Sequence, residues 1–215
     1  MVGDALRPVV ERPEEIHAFW FADTLGEPAR AQARMPWWFG SDADTDRLIA
    51  RRYAPVLDAA GGGALSSWEG EPRSCLALVI VLDQFPRNIH RATPAAFAYD
   101  SRALEVTRRG LAAGHLQSLA AIEQAFFLMP FQHSEDLACQ RVSVAHFERL
   151  AVAAAPEWRE IAQGVLDYAR LHLEIVERYG RFPHRNAILG RVSTSAEIEY
   201  LASASESFGQ SRGAG

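Results

Sequence analysis

The chain has 215 residues, a formal net charge of −5 and 48% hydrophobic side chains. That length and composition fit one large domain with a sizeable core, and the acidic balance argues against a nucleic-acid partner. All of the basic residues are Arg, so no lysine amine exists for Schiff-base chemistry, and no apolar run approaches the roughly 18 residues of a membrane span.

Residues 1–11 read as a loose leader without the apolar stretch of a secretory signal. Pro13 suits a first helical turn, and Ile16, Phe19 and Trp20 carry an amphipathic helix to about Gly26. Residues 27–36, with two prolines, read as a loop, and Trp37, Trp38, Phe39 and Gly40 as an aromatic cluster at a turn. Ser41 or Asp42 caps the next helix, with Asp44 and Asp46 in its first turn where the helix dipole favours acids. Pro55 should kink or break that helix, and Gly61, Gly62 and Gly63 end it.

Pro72 opens a helix through Leu76, Val79 and Ile80 to Gln84. Val79, Ile80 and Val81 also suit a strand, but no second strand candidate exists to pair with it. Pro86 ends this helix. Thr93 and Pro94 open another over 94–109, closed by Gly110 and Gly114. A helix from about Ser118 reaches Met129, where Pro130 breaks or restarts it. Pro156 opens a long helix with Trp158, Ile161, Val165, Tyr168, His172, Ile175 and Tyr179 on one face, stopped at Gly180. Thr194 caps a short helix over 196–202, and residues 204–215 read as a disordered tail. The expected fold is all-α: one domain over 12–203, with about eight to ten helices packed as antiparallel hairpins.

The segment 126–150 organises this pattern. Phe126, Met129, His133, Leu137, Gln140, Val144 and Phe147 follow one helical face, and the opposite face is also largely apolar, so the helix should be buried. Ser134, Glu135 and Asp136 are then costly inside unless paired. On one helix His133 and Asp136 share a face, the arrangement of a general base oriented by a carboxylate. A satisfied core histidine at the Pro130 break is the structural alternative. A metal site using His133, Asp136, Asp83 and His184 is the third, though the spacing matches no tight ligand motif.

Two loops resemble each other: Asp-Gln-Phe-Pro-Arg-Asn at 83–88 and Arg-Phe-Pro-His-Arg-Asn at 181–186. Both follow a long helix. One reading makes them helix terminators, with Arg reaching back to the last carbonyls or neutralising Asp83, Glu135 and Asp136 in a buried network. The other aims Arg87, Arg185, Arg91 and Arg181 at one anion-binding cup, with Asn88 and Asn186 as neutral partners. Trp37, Trp38 and Phe39 suit either a pocket wall or plain core. Cys75 and Cys139 form no CxxC pair and read as inert buried thiols in a reducing cytoplasm.

These motifs, together with 91–104, 129–137 and 180–191 and the Trp38-Phe39-Gly40 string, resemble a large, mainly bacterial family, domain-of-unknown-function family nine-two-four. The resemblance covers about residues 14–201 and implies a tetratricopeptide-like helical fold without a settled activity. Its recurring positions fall on Asp83–Asn88, His133–Asp136 and Arg181–Asn186; Gln132 departs from that family's pattern, where Glu is common.

The functional expectation is a cytoplasmic small-molecule-binding protein acting on a small anion without a cofactor or a resident metal. His133 with Asp136 would move a proton, and Glu135 and His184 would join them as catalytic groups. Asp83, Arg87, Asn88, Arg181, Arg185, Asn186 and Trp38 would bind the substrate. The alternative is a helical adaptor for a partner peptide, in which the polar cluster only holds the fold.

Overall fold

The computed structural model describes residues 12–203. The leader and tail expected at 1–11 and 204–215 lie outside the described residues. Those described form a single all-α domain, with no strand among them: α1 (Pro13–Phe21), α2 (Pro28–Phe39), α3 (Ala43–Gly61), α4 (Pro72–Asp83), α5 (Phe85–Ile89), α6 (Asp100–Ala112), α7 (Ala121–Gln132), α8 (Leu137–Ala153), α9 (Arg159–Tyr179) and α10 (Ser195–Ser203). Consecutive helices pack as hairpins, α7 on α8 and α8 on α9, in the tetratricopeptide-like manner expected.

Two helices form the centre. Every residue of α4 from Cys75 to Asp83 is buried, because α1, α3, α6 and α7 cover it on all sides. This is why the Val79–Val81 stretch is helical: β-branched residues tolerate a helix whose faces are all packed. In α7, Phe126 to Gln132 are likewise all buried. An aromatic cluster of Trp20, Phe21, Tyr53, Phe85 and Phe126 joins α1, α3, α5 and α7, with edge-on and stacked rings 4.7–5.8 Å apart.

The structure corrects several boundaries. Residues 28–39, read as loop and turn, are helical. Pro28 sits in the first turn, where no N–H is needed, and Ala29 to Met35 are good helix formers. Pro36 forfeits one bond close to the end, and the Gly40 N–H closes the turn on the Pro36 carbonyl at 2.9 Å. Helix α3, capped by Asp42 as expected, absorbs Pro55 without ending, since its packed face continues from Ile49 and Tyr53 to Val56, Leu57 and Ala60. Thr93 does not cap a helix: its hydroxyl donates to the His90 carbonyl at 2.7 Å, residues 94–97 make a 3-10 turn, and α6 starts at Asp100.

The segment 126–150 is two helices. Pro130 lies inside α7, whose end is set by the His133 N–H on the Met129 carbonyl at 2.9 Å. Asp136 then caps α8 by accepting the Cys139 N–H at 2.8 Å. The polar residues 133–136 are therefore a turn between helices, which removes the need to bury them on a helix face. Gly180 ends α9 in the left-handed conformation, as expected (φ +68°).

Gly110, expected to close α6, lies inside it. A Cβ there would come 2.6 Å from the Phe127 ring and 3.1 Å from the Cys75 sulfur, so the residue permits close contact of α6 with α4 and α7. Gly110→Ala should therefore overpack the core and lower stability by about 1–3 kcal/mol in equilibrium urea unfolding.

Candidate functional site

Helices α4 and α7 end side by side, and their last residues build the site. α4 delivers Asp83 and Gln84; α7 delivers Met129, Gln132 and His133. In front of them lies an open cavity of about 720 Å³. The first Phe-Pro loop adds Arg87, Asn88 and Arg91, the second adds His184 and Arg185, and Phe97, α2 and α9 complete the walls.

Asp83 is fully buried behind the cavity wall. His133 Nδ1 lies 2.8 Å from Asp83 Oδ1 and 3.0 Å from Oδ2. Gln84 Nε2 donates to Oδ2 at 2.6 Å, and Arg87 Nη1 donates to the Asp83 carbonyl oxygen and lies 3.4 Å from Oδ1. Burial pushes the Asp83 carboxyl up, but Arg87 and His133 outweigh it and hold the group below the ordinary carboxylate range. Burial and the Arg87 charge push His133 down, against the pull of Asp83. An ionised Asp83 accepts only, so Nδ1 carries the proton and Nε2 keeps a lone pair at the far edge of the ring.

The two Phe-Pro loops meet. Arg87 lies 3.0 Å from Asp100 Oδ1 and 3.2 Å from Oδ2, and Arg185 Nη1 lies 3.4 Å from the same Oδ2. Both guanidiniums face the Phe97 ring, Arg185 at 4.6 Å and Arg87 at 5.9 Å, and Arg185 also faces Phe182 at 4.6 Å. Their electrostatics differ. For Arg87, burial is more than offset by Asp100 and Asp83, and its pKa is raised. For Arg185, burial dominates and the group falls to about 10. Arg185 Nε is buried without a hydrogen-bond partner among the described residues.

Two further histidines line the cavity. His172 Nδ1 donates to the Tyr168 carbonyl at 2.8 Å, and burial lowers this imidazole to about 3. Burial, with the nearby Arg185, lowers His184 to about 3 as well. Both are neutral at pH 7.

The other expected site residues stand elsewhere. His133 pairs with Asp83, not with Asp136, because the turn at 133–136 breaks the helical register; Asp136 is an exposed cap outside the cavity. Glu135 is a clamp: it accepts the Phe182 N–H at 2.8 Å and binds both Arg191 Nη atoms at 2.7 and 2.9 Å. Arg181 is held by Glu197 at 2.6 and 2.8 Å and by the Val192 carbonyl, and Asn186 donates to Ser193. Neither lines the cavity. Asn88 and Arg91 reach the cavity wall but are bound to Asp46, Arg91 through two bonds of 2.6 and 2.7 Å.

Trp38 and Phe39 line the cavity, whereas Trp37 packs on Phe19, Trp20 and the Arg34 guanidinium. Among the described residues, no three His, Cys, Asp or Glu side chains are placed to hold a metal ion, and no helix is long and apolar enough to cross a membrane. Sequence reasoning left His172, Asp100, Phe97 and Gln132 out of the site, and Gln84 entered it only as a recurring position of the resembled family. His172 and Tyr168 share the α9 face read from the sequence, but that face gave no sign that part of it borders a cavity.

A family model described as a bacterial protein of unknown function (DUF924) matches residues 16–205. The chain belongs to that family. It is similar to the solved structure of a protein of unknown function from Agrobacterium tumefaciens, with a TM-score of 0.76 and 33% identity over 89% of this chain and 97% of that one. No curated protein matches.

The neutral imidazoles make stability depend on pH. The unfolded chain takes up these protons near pH 6.5, whereas folded His172 and His184 do so only near 3. The unfolded state therefore binds more protons below 6.5, and stability falls with pH by about 1.4 kcal/mol per unit for each such group. Urea unfolding at pH 7, 6 and 5 should show this decline, and His172→Gln should flatten it.

Proposed function

We propose that this member of the family is a small-molecule enzyme that binds an anionic group of its substrate at Arg87 and Arg185 and moves a proton with His133. The observation that carries the reading is the Asp83–His133 pair at the wall of an open cavity that also holds both arginines. Asp83 fixes the tautomer, so Nε2 is the basic atom. It would take a proton from a substrate group or from an attacking water and return it to the leaving atom.

Among the described residues, the cavity lining contains no Ser, Thr, Cys or Lys, so a covalent step through those side chains is not part of the reading. Arg185 supports the anion: its charge is less compensated than that of Arg87, and a bound carboxylate or phosphate would supply the missing counter-charge. Gln84, Gln132 and the neutral His172 and His184 offer further hydrogen bonds without adding charge. Asp83 takes the orienting role first given to Asp136, and Glu135, Arg181 and Asn186 hold the loops in place. A cytoplasmic setting belongs to the same reading, supported by two free, buried cysteines.

The test is thermal unfolding against a panel of carboxylates, phosphates and phosphorylated metabolites. An anion that binds only the folded state at a hundred times its Kd adds about 2.7 kcal/mol. Such an anion should stabilise the wild type and His133→Asn but not Arg185→Gln, and His133→Asn should lose turnover of the compound by roughly 100-fold or more. If no anion stabilises the wild type while Arg185→Gln simply unfolds more easily, the arginines serve only to neutralise Asp100 and the reading fails.

A further inference from the structure

We infer that the ligand is a monoanionic amphiphile whose head sits at Arg87 and Arg185 and whose apolar tail lies along α9, in a channel kept open by Gly164. This rests on the anion-binding reading above.

Helix α9 gives the cavity Glu160 and a stripe of Ile161, Gly164, Val165, Tyr168 and His172. These positions follow helical spacing, and the eleven steps from Ile161 to His172 span about 16 Å. The wall changes character along that distance. At the His172 end the cavity is polar: the His172 ring lies 6.4 Å from that of His133, and Gln132 lies 3.4 Å from His172 Nδ1. Towards Ile161 the α9 stripe becomes apolar, with the exposed Glu160 at its end, and α2 adds Met35, Pro36 and Phe39 beside Gln32.

No close packing among the described residues requires glycine at 164. It lies inside a 21-residue helix, where glycine is the poorest former after proline. Among the described residues, nothing lies within 4 Å of the place its Cβ would take. Gly110 shows the contrast, since a Cβ there would strike the Phe127 ring at 2.6 Å. What a side chain at 164 would occupy is open space bordering the cavity. Two lining aromatics, Phe39 and Tyr168, are also left 45% and 47% exposed, apolar surface that a tail would cover. Glu160, exposed on the lining, sets the charge count, because it would repel a second carboxylate at the far end of the tail.

Linear monocarboxylates from acetate to decanoate, titrated calorimetrically into the full chain, test this. Affinity should rise about fourfold for each added methylene until the channel is filled. Decanedioate should bind at least tenfold more weakly than decanoate. Gly164→Leu should bind acetate as the wild type does but lose the gain from lengthening, with Gly164→Ala intermediate and the melting temperatures of both no lower than wild type. Arg185→Gln should weaken every member of the series by the same factor. Affinity independent of chain length, or undiminished decanoate binding by Gly164→Leu, would overturn the amphiphile while leaving the anion pocket standing if Arg185→Gln still weakens acetate. If Arg185→Gln changes nothing across the series, the anion pocket itself falls and this inference with it.

Discussion

A carboxylate sealed from water, Asp83, sets the terms for everything around it. An ionised group in that position costs several kcal/mol unless it is paired and hydrogen-bonded. His133, Gln84 and Arg87 meet that demand together. Each comes from a different place: the end of α7, the end of α4 and the short helix α5. Satisfying one buried charge therefore fixes how two central helices end and where the first Phe-Pro loop goes. The C-terminal carbonyls of α4 act in the same direction, since Arg87 also donates to the Asp83 carbonyl oxygen, where the helix dipole is negative.

Asp100 does for the second loop what Asp83 does for the first. It receives both Arg87 and Arg185, and so draws together two segments nearly a hundred residues apart. Two aspartates then face two guanidiniums around neutral imidazoles. The balance is uneven in space, because Arg87 touches both carboxylates and Arg185 only one. That unevenness, rather than an excess of positive charge, is what the proposed anion site at Arg185 rests on.

The acidic residues of the 133–136 turn divide the remaining work. Glu135 ties the turn to the loop after α9 through Arg191 and the Phe182 backbone, and Asp136 starts α8. Neither reaches the cavity, yet both hold His133 in register with Asp83. The aromatic cluster of α1, α3, α5 and α7 gives the rigid floor on which this happens. Helix α2 buries only Ala31 and Trp38 in the core and contributes cavity wall through Met35, Pro36, Trp38 and Phe39.

The residues of the site were legible as types: a histidine and carboxylates that have no cheap place in a core, and two similar Phe-Pro loops each with an Arg-Asn pair. The all-helical fold was legible too, from 3.6-residue periodicity and from proline and glycine punctuation. Partner choice was not. Spacing along the chain pointed His133 at Asp136, but a four-residue turn moved Asp136 to a cap, and only the convergence of α4 with α7 brought Asp83 within 2.8 Å. Arg181 and Arg185 look equivalent in sequence; one is taken by Glu197 and the other borders the cavity, a difference set by how α10 folds back. By itself the sequence determined the helices and the polar groups that must be paired, because periodicity and burial cost are local properties. Which groups pair, and which border the cavity, was decided by tertiary packing, because only the docking of distant helices sets the distances over which charges and hydrogen bonds act.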